Sequence, residues 1–252
     1  LKLPSALEWR TMTTNGAAMK FAKQQLKQIE SLARSVPRKA ADRRACVACL
    51  LRQPRSRSQE SLEMFFILRA TRATDRWSGQ VAFPGGHVDD GESDHQAVAR
   101  ECFEECGLSL DVPGAYRFIG CVADQLVRGG GSRLAVACRV YEQILPEPFL
   151  DLQVSEVAAC GWVPLSLLLD ADCAQPVSST LQKAPAVWEG LPSVPLQIAD
   201  LTLARGVDVQ DARKGFVLWG LTLNIINCFL GDTGCATISL RSEGSQVPTP
   251  RL

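Results

Sequence analysis

The chain is most easily approached through what it lacks. No run of apolar residues reaches the ~20 positions that a membrane-spanning helix needs. The formal net charge is zero, so the protein as a whole carries no field that would steer it onto nucleic acid or a membrane surface. There are only two histidines, His87 and His95, and the ten cysteines show no paired metal-ligand spacing. Cys46 and Cys49 do form a CxxC. They fall in an expected strand, however, where an odd separation turns them to opposite faces. A zinc site is therefore not expected, and the cysteines read as small buried thiols in a reducing compartment. Internal repeats and low-complexity tracts are also missing.

What is present is concentrated between Gly86 and Leu108, GHVDDGESDHQAVARECFEECGL. Glu101, Glu104 and Glu105 stand at i, i+3 and i+4, on one face of a helix within about one turn. Carboxylates so close repel one another, and a structural helix gains nothing from the cluster. A divalent cation reverses that argument, because Mg²⁺ requires hard oxygen ligands. Val98, Ala99, Cys102, Phe103 and Cys106 form the apolar arc expected to face a core. Ser93 or Asp94 can cap the helix start, and Gly107 suits a left-handed C-cap.

The residues Gly86, Glu92 and Arg100-Glu101-Cys102-Phe103-Glu104-Glu105-Cys106-Gly107-Leu108 resemble the Nudix box at every spacing, with Cys102 where an aliphatic residue is usual. The resemblance implies an α/β fold, an α/β/α sandwich around a mixed sheet. It also implies Mg²⁺- or Mn²⁺-dependent hydrolysis of a nucleoside diphosphate linked to another group. Glu101, Glu104 and Glu105 would bind the metal, with Glu104 and Glu105 serving catalysis. Arg100 resembles the arginine that orients the glutamates, and it also suits a plain i, i+4 pair with Glu104. Glu92 is either an outer metal ligand or a first-turn acid favoured by the helix dipole.

Upstream, Arg44–Leu51 and Met64–Ala70 read as strands around a polar loop, 53–60. Gly79, three residues and Phe83-Pro84-Gly85-Gly86 resemble the signature of coenzyme A diphosphatases within the same superfamily. The arginine that this signature places four residues before Gly79 is here Asp75, with Arg76 one position nearer. The implied substrate is CoA or acyl-CoA, cleaved to 3′,5′-ADP and a phosphopantetheine product, with Gly85 and Gly86 against it. Arg72 and Arg76 can hold a phosphate or remain solvated loop arginines.

Downstream, Tyr116–Asp124 and Leu134–Glu142 read as strands joined through Gly129-Gly130-Gly131. Glu156 opens a stretch ending at Trp162-Val163-Pro164-Leu165, with a short helix from Ser166. Glu156 is either a further metal ligand or general base, or an exposed strand-end acid. Residues 171–215 show little period, and Trp188, Pro192 and Pro195 can form a flap. A final apolar helix is expected from Val217 to Leu230; its Trp-Gly-Leu-Thr start resembles the same coenzyme A group, and core packing also explains it.

Residues 1–44 hold ten Lys/Arg against Glu8, Glu30 and Asp42, about +7, leaving the rest near −7. Met19, Ala22, Leu26, Ile29 and Ala33 give that region an amphipathic helix. It either packs on the catalytic domain or docks an RNA or protein partner. The expected organisation is a basic helical extension (1–43), a Nudix domain (44–231) and a tail (232–252). A leucine in first place fits a processed organellar precursor or a truncated N-terminus, and Pro250-Arg251-Leu252 loosely resembles a peroxisomal tripeptide. The expectation is an intracellular enzyme without a membrane partner, with the mitochondrion favoured over peroxisome or cytosol. Its partner is a small nucleotide substrate. The runner-up reading is an RNA 5′-end or dinucleotide pyrophosphohydrolase, or a Nudix-fold subunit of a ribonucleoprotein.

Overall fold

The strand β1 (Arg43–Arg52) is central because small and apolar residues alternate along it with both faces usable. Cys46, Ala48 and Leu50 face one apolar cluster, while Ala45, Cys49 and Leu51 face another. The CxxC is thus split between the two sides of a sheet. The computed structural model describes residues 24–54, 61–73, 75, 77–129, 131–145, 150–170, 173–177 and 189–240. Arg76 and Trp188, residues 241–252 of the expected tail and the start of the expected N-terminal helix lie outside the described residues.

Around β1 the sheet is mixed. It pairs in parallel with β6 (Ser132–Gln143), from Arg43↔Leu134 to Arg52↔Gln143. It pairs antiparallel with β2 (Glu63–Arg69) and with the short β4 (Gly85–His87). β5 (Tyr116–Gly129) forms a long antiparallel hairpin with β6, interrupted by two register shifts. On the other side β7 (Val157–Pro164) pairs with β2, and β10 (Ala199–Leu203) closes that edge. β3 (Val81–Ala82) pairs with β2. A small second sheet joins β8 (Gln175–Pro176), β9 (Pro192–Pro195) and β11 (Val217–Leu218).

Helices cover both faces. On one lies α1 (Asp94–Cys106), burying Val98, Ala99, Cys102 and Cys106. On the other lie α2 (Leu165–Leu168), α3 (Val209–Gly215) and α4 (Gly220–Asp232), with Leu223, Ile226, Phe229 and Leu230 buried. The layering is the α/β/α arrangement expected. One expectation is corrected: Phe103 is not part of the buried arc of α1 but is 61% exposed. The stretch 171–215, in which little period is legible, contains β8, β9, β10 and α3 among its described residues, and Pro192 and Pro195 are the ends of β9.

The N-terminal basic segment is docked where it is described. Residues 24–29 are helical, and Ile29 and Leu32 enter the main core. The Gln25 side chain accepts from the Leu62 N–H at 3.0 Å, and the Ala33 carbonyl accepts from the Cys121 N–H on β5 at 2.8 Å. A sheet edge is thereby covered, which removes an open template for strand pairing.

Two ion-pair clusters fix the sheet. Arg52, 3% exposed, pairs with fully buried Glu63 at 2.6 Å, reaches Asp200 and stacks over Trp162 with the guanidinium 4.2 Å from the ring centre. Asp94, in the first turn of α1, is held by Arg44 of β1, Arg139 of β6 and Arg38. Arg44 also bonds buried Asp124 at 2.7 Å. The start of α1 is thus tied to the two central strands.

Candidate active site

The strand–loop–helix from β4 to α1 builds the site. Ser93 is the N-cap of α1: its hydroxyl accepts from the Gln96 N–H, and the Gln96 side chain accepts from the Ser93 N–H, a reciprocal capping box. Gly107 ends the helix with φ 72°, the left-handed conformation that glycine adopts at least cost. Its N–H donates to the Phe103 carbonyl at 2.8 Å. Both ends are fixed, so the rotational setting of α1 against the sheet is fixed too.

The three helix glutamates sit in different surroundings. Glu105 is 1% exposed, and its Oε2 accepts from the Gly85 N–H at 2.9 Å. Burial pushes its carboxyl up to about 8, against the lowering effects of the Gly85 N–H and Arg69. Glu101 is mostly covered and is also raised, again by burial first. Glu104 is half exposed. Arg100 links the set: Nη1 donates to Glu101 at 2.9 Å and to Glu104 at 3.2 Å. Nε and Nη2 take both oxygens of Glu92 at 2.9 and 3.0 Å, and Nη2 also bonds the His87 carbonyl. This pairing holds Glu92 below the usual carboxylate range.

Gly86 permits the close approach of β4 to α1. A Cβ there would lie 2.4–2.6 Å from the Glu101 carboxylate, inside any real contact. Gly85 has φ 143°, and a Cβ would strike the Cys46 carbonyl at 2.3 Å. Both glycines are therefore required by geometry at the site.

Gly85, Gly86, Glu101 and Glu105 line one cavity of about 370 Å³, whereas Glu92, Arg100 and Glu104 are not among its lining residues. Glu101, Glu105 and Glu156 stand on its wall, with Arg69, Trp77, Gln80 and His87 beside them. An apolar side is supplied by Val47, Val81, Leu134, Val136, Leu221 and Ile225. Glu156 precedes β7 and is partly exposed, and Arg72 Nη2 lies 3.3 Å from its Oε1. Arg72 is therefore paired with an acid of the cavity rather than solvated alone. Sequence reading missed Arg69, Trp77 and the α4 residues as cavity walls. The Trp-Gly-Leu-Thr start of α4 carried the signal for the last of these, and the Thr222 hydroxyl donates to the Val81 carbonyl at 3.0 Å.

Among the described residues no three acidic, histidine or cysteine side chains form a ready-made metal cage. Mg²⁺ takes hard oxygen ligands and keeps several of its waters. The donor set is all oxygen, and the buried Glu105 carboxyl is repelled by Glu101 and Glu156, a repulsion that a cation would remove.

The NUDIX domain profile matches residues 42–182. An uncharacterized protein of Schizosaccharomyces pombe is 38% identical over 114 residues, 44% of this chain and 34% of that protein. The match thus spans about a third of the length of that curated relative. Similar solved structures include a Caenorhabditis elegans Ap4A hydrolase binary complex at 19% identity, covering 49% of this chain and 80% of that one, TM-score 0.40. A Nudix hydrolase from M. smegmatis, RenU, is 20% identical over 55% of this chain and 81% of its own, TM-score 0.41. A MutT NUDIX hydrolase from Burkholderia pseudomallei is 25% identical over 54% and 90%, TM-score 0.37. The assignment rests not on these superpositions but on the profile, which covers more than half of the chain: the chain belongs to the NUDIX domain family.

Proposed function

We propose that this protein is a divalent-metal-dependent pyrophosphohydrolase whose substrate is CoA or an acyl-CoA, cleaved by water to 3′,5′-ADP and an (acyl)phosphopantetheine. The observation that carries the reading is one cavity lined by both carboxylates and apolar side chains. A substrate with a phosphate anhydride and a long weakly polar arm matches that mixed lining. The Gly79-x₃-Phe83-Pro84-Gly85-Gly86 run adds support from the sequence.

In this reading Glu101, Glu104 and Glu105 hold Mg²⁺ or Mn²⁺, and Glu92 supports them through Arg100. The ion, when bound, neutralises the diphosphate and lowers the pKa of the attacking water. Arg100 keeps the carboxylates oriented through four hydrogen bonds, and a fifth ties it to the His87 carbonyl. In the same reading Glu156 accepts a proton from water, and Arg72 pairs with its carboxylate at 3.3 Å. Gly85 and Gly86 give the substrate close access to β4, and Arg72, which pairs with the cavity acid Glu156, is a loop cation offered to its phosphates.

The test is chromatographic product analysis with Mg²⁺ and, separately, CoA, ADP-ribose, a dinucleoside polyphosphate and 5′-triphosphate RNA. Glu104→Gln runs beside each. Release of 3′,5′-ADP from CoA that disappears in the variant is the expected result. Turnover of RNA alone would replace the CoA reading with 5′-end processing.

A further inference from the structure

Among the described residues that line the cavity, one side chain carries a permanent positive charge, and it is Arg69, which no motif in the sequence singles out. Arg69 is the last residue of β2. Its backbone is pinned twice: the N–H donates to the Gln80 carbonyl at 3.0 Å, and the carbonyl accepts from the Gly79 N–H at 3.2 Å. The loop 70–79 therefore closes on this residue. Within the loop, Asp75 turns back. Its Oδ2 takes Arg69 Nη2 at 2.8 Å, and its Oδ1 accepts from the Trp77 N–H at 2.9 Å. The acid that stands where the family signature has an arginine thus serves to direct a different arginine.

Held this way, the guanidinium points its remaining edge at the carboxylates. Nη1 lies 4.0 Å from Glu105 Oε1, too far for a hydrogen bond. Nε is buried with no hydrogen-bond partner among the described residues. A simple counterion for Glu105 would close to contact. Here the charge is balanced by Asp75, and Nη1 stays open beside the cavity. Planar guanidinium donors match phosphate oxygens, and such charge-assisted bonds are among the stronger ones in proteins.

We infer that Arg69, aimed by Asp75, is a substrate-contacting residue that donates to a nonbridging oxygen of the diphosphate group bound in the carboxylate cavity. This rests on the pyrophosphohydrolase reading above, though not on CoA as the substrate.

The experiment is calorimetric titration of the full chain with methylene diphosphonate and Mg²⁺, alongside KM for CoA. Arg69→Gln is expected to weaken diphosphonate binding by about tenfold or more, the scale of one charge-assisted hydrogen bond. Arg69→Lys keeps the charge without the fork and should lose about threefold or more. Asp75→Asn frees the guanidinium and should fall in the same direction. Wild-type affinity in a folded Arg69→Gln protein would overturn the inference, as would no binding by the wild type. Should Arg69→Gln fail to fold, Arg69→Lys decides, with unchanged affinity as the overturning result. The two readings fail separately. A wild type that hydrolyses no CoA but loses diphosphonate affinity in Arg69→Gln leaves the contact standing. CoA turnover with KM and diphosphonate affinity untouched by Arg69→Gln removes the contact alone.

Discussion

Glu105→Gln should make the metal-free protein more stable at pH 8 while changing little at pH 5. Glu105 is fully buried, and its carboxyl is raised from 4.5 to about 8, first because burial strips the charged form of water. The sign follows from proton counting. Between pH 4.5 and 8 the unfolded chain gives up a proton that the folded chain still holds, so stability falls as pH rises through that window. Each tenfold change in proton affinity is worth about 1.4 kcal/mol. At pH 8 the wild type therefore gives up on the order of 4 kcal/mol relative to a neutral side chain of the same shape, and at pH 5 under about 1 kcal/mol. Glutamine can still accept from the Gly85 N–H, so the exchange removes the charge and little else. For a chain of this size the pH 8 difference is a melting shift on the order of 10 °C. The assay is thermal unfolding of both proteins in chelator across pH 5 to 8, then with Mg²⁺. The ion should stabilise the wild type more than the variant at pH 8, because it offsets the buried charge. A difference between the two melting temperatures that stays flat from pH 5 to 8 would refute the argument that burial controls this carboxyl.

Gly86→Ala should lower turnover by about tenfold or more with less than about 1 kcal/mol of lost stability, because the new methyl displaces only the mobile end of Glu101; kinetics paired with melting would show the split. Glu63→Ala should cost about 3–5 kcal/mol in urea unfolding by leaving Arg52 buried without its main partner. Asp200→Asn, at the half-exposed end of the same cluster, should cost under about 1 kcal/mol. Asp94→Asn should weaken the fold at neutral pH. Burial acts against the Asp94 charge, but Arg44, Arg139 and Arg38 outweigh it and hold the carboxyl below its ordinary 3.8. Its contribution is present above that value and is lost as pH falls through the lowered one, so the variant should show a shallower acid limb in unfolding measured from pH 6 to 2.

Much of the site was legible because the local signals agreed. Ser93 and Gly107 bracket α1, and the glutamate spacing marked its carboxylate face. Phe103 was misplaced for a geometric reason. The buried arc of α1 runs through Ala97, Val98, Ala99, Cys102 and Cys106, with Glu105 on its carboxylate side and Phe103 beyond the other edge, so the arc is rotated toward the carboxylate face. β10 and β9 were not legible, since each is a short strand whose pairing comes from a distant neighbour and, for β9, whose ends are prolines. Arg69 read as an ordinary strand end. Its meaning depends on the loop folding back, which no spacing in the chain reveals.

The parallel pairing of β1 with β6 has a consequence for how the chain is made. Arg43 waits for Leu134, and Arg52 for Gln143, before the central ladder can close. Closing contacts at such separation is slow, and a strand that lacks its partner is exposed to other chains. During synthesis β1 can meet β2 and β4 early, but its second edge stays open until β6 has left the ribosome. The helix α1, bound to Arg139 of β6 through Asp94, gains that tie only then. Assembly of the candidate site is therefore a late event in folding, and a nascent chain stopped before β6 would carry the whole Nudix box without the Leu134 and Val136 wall of the cavity.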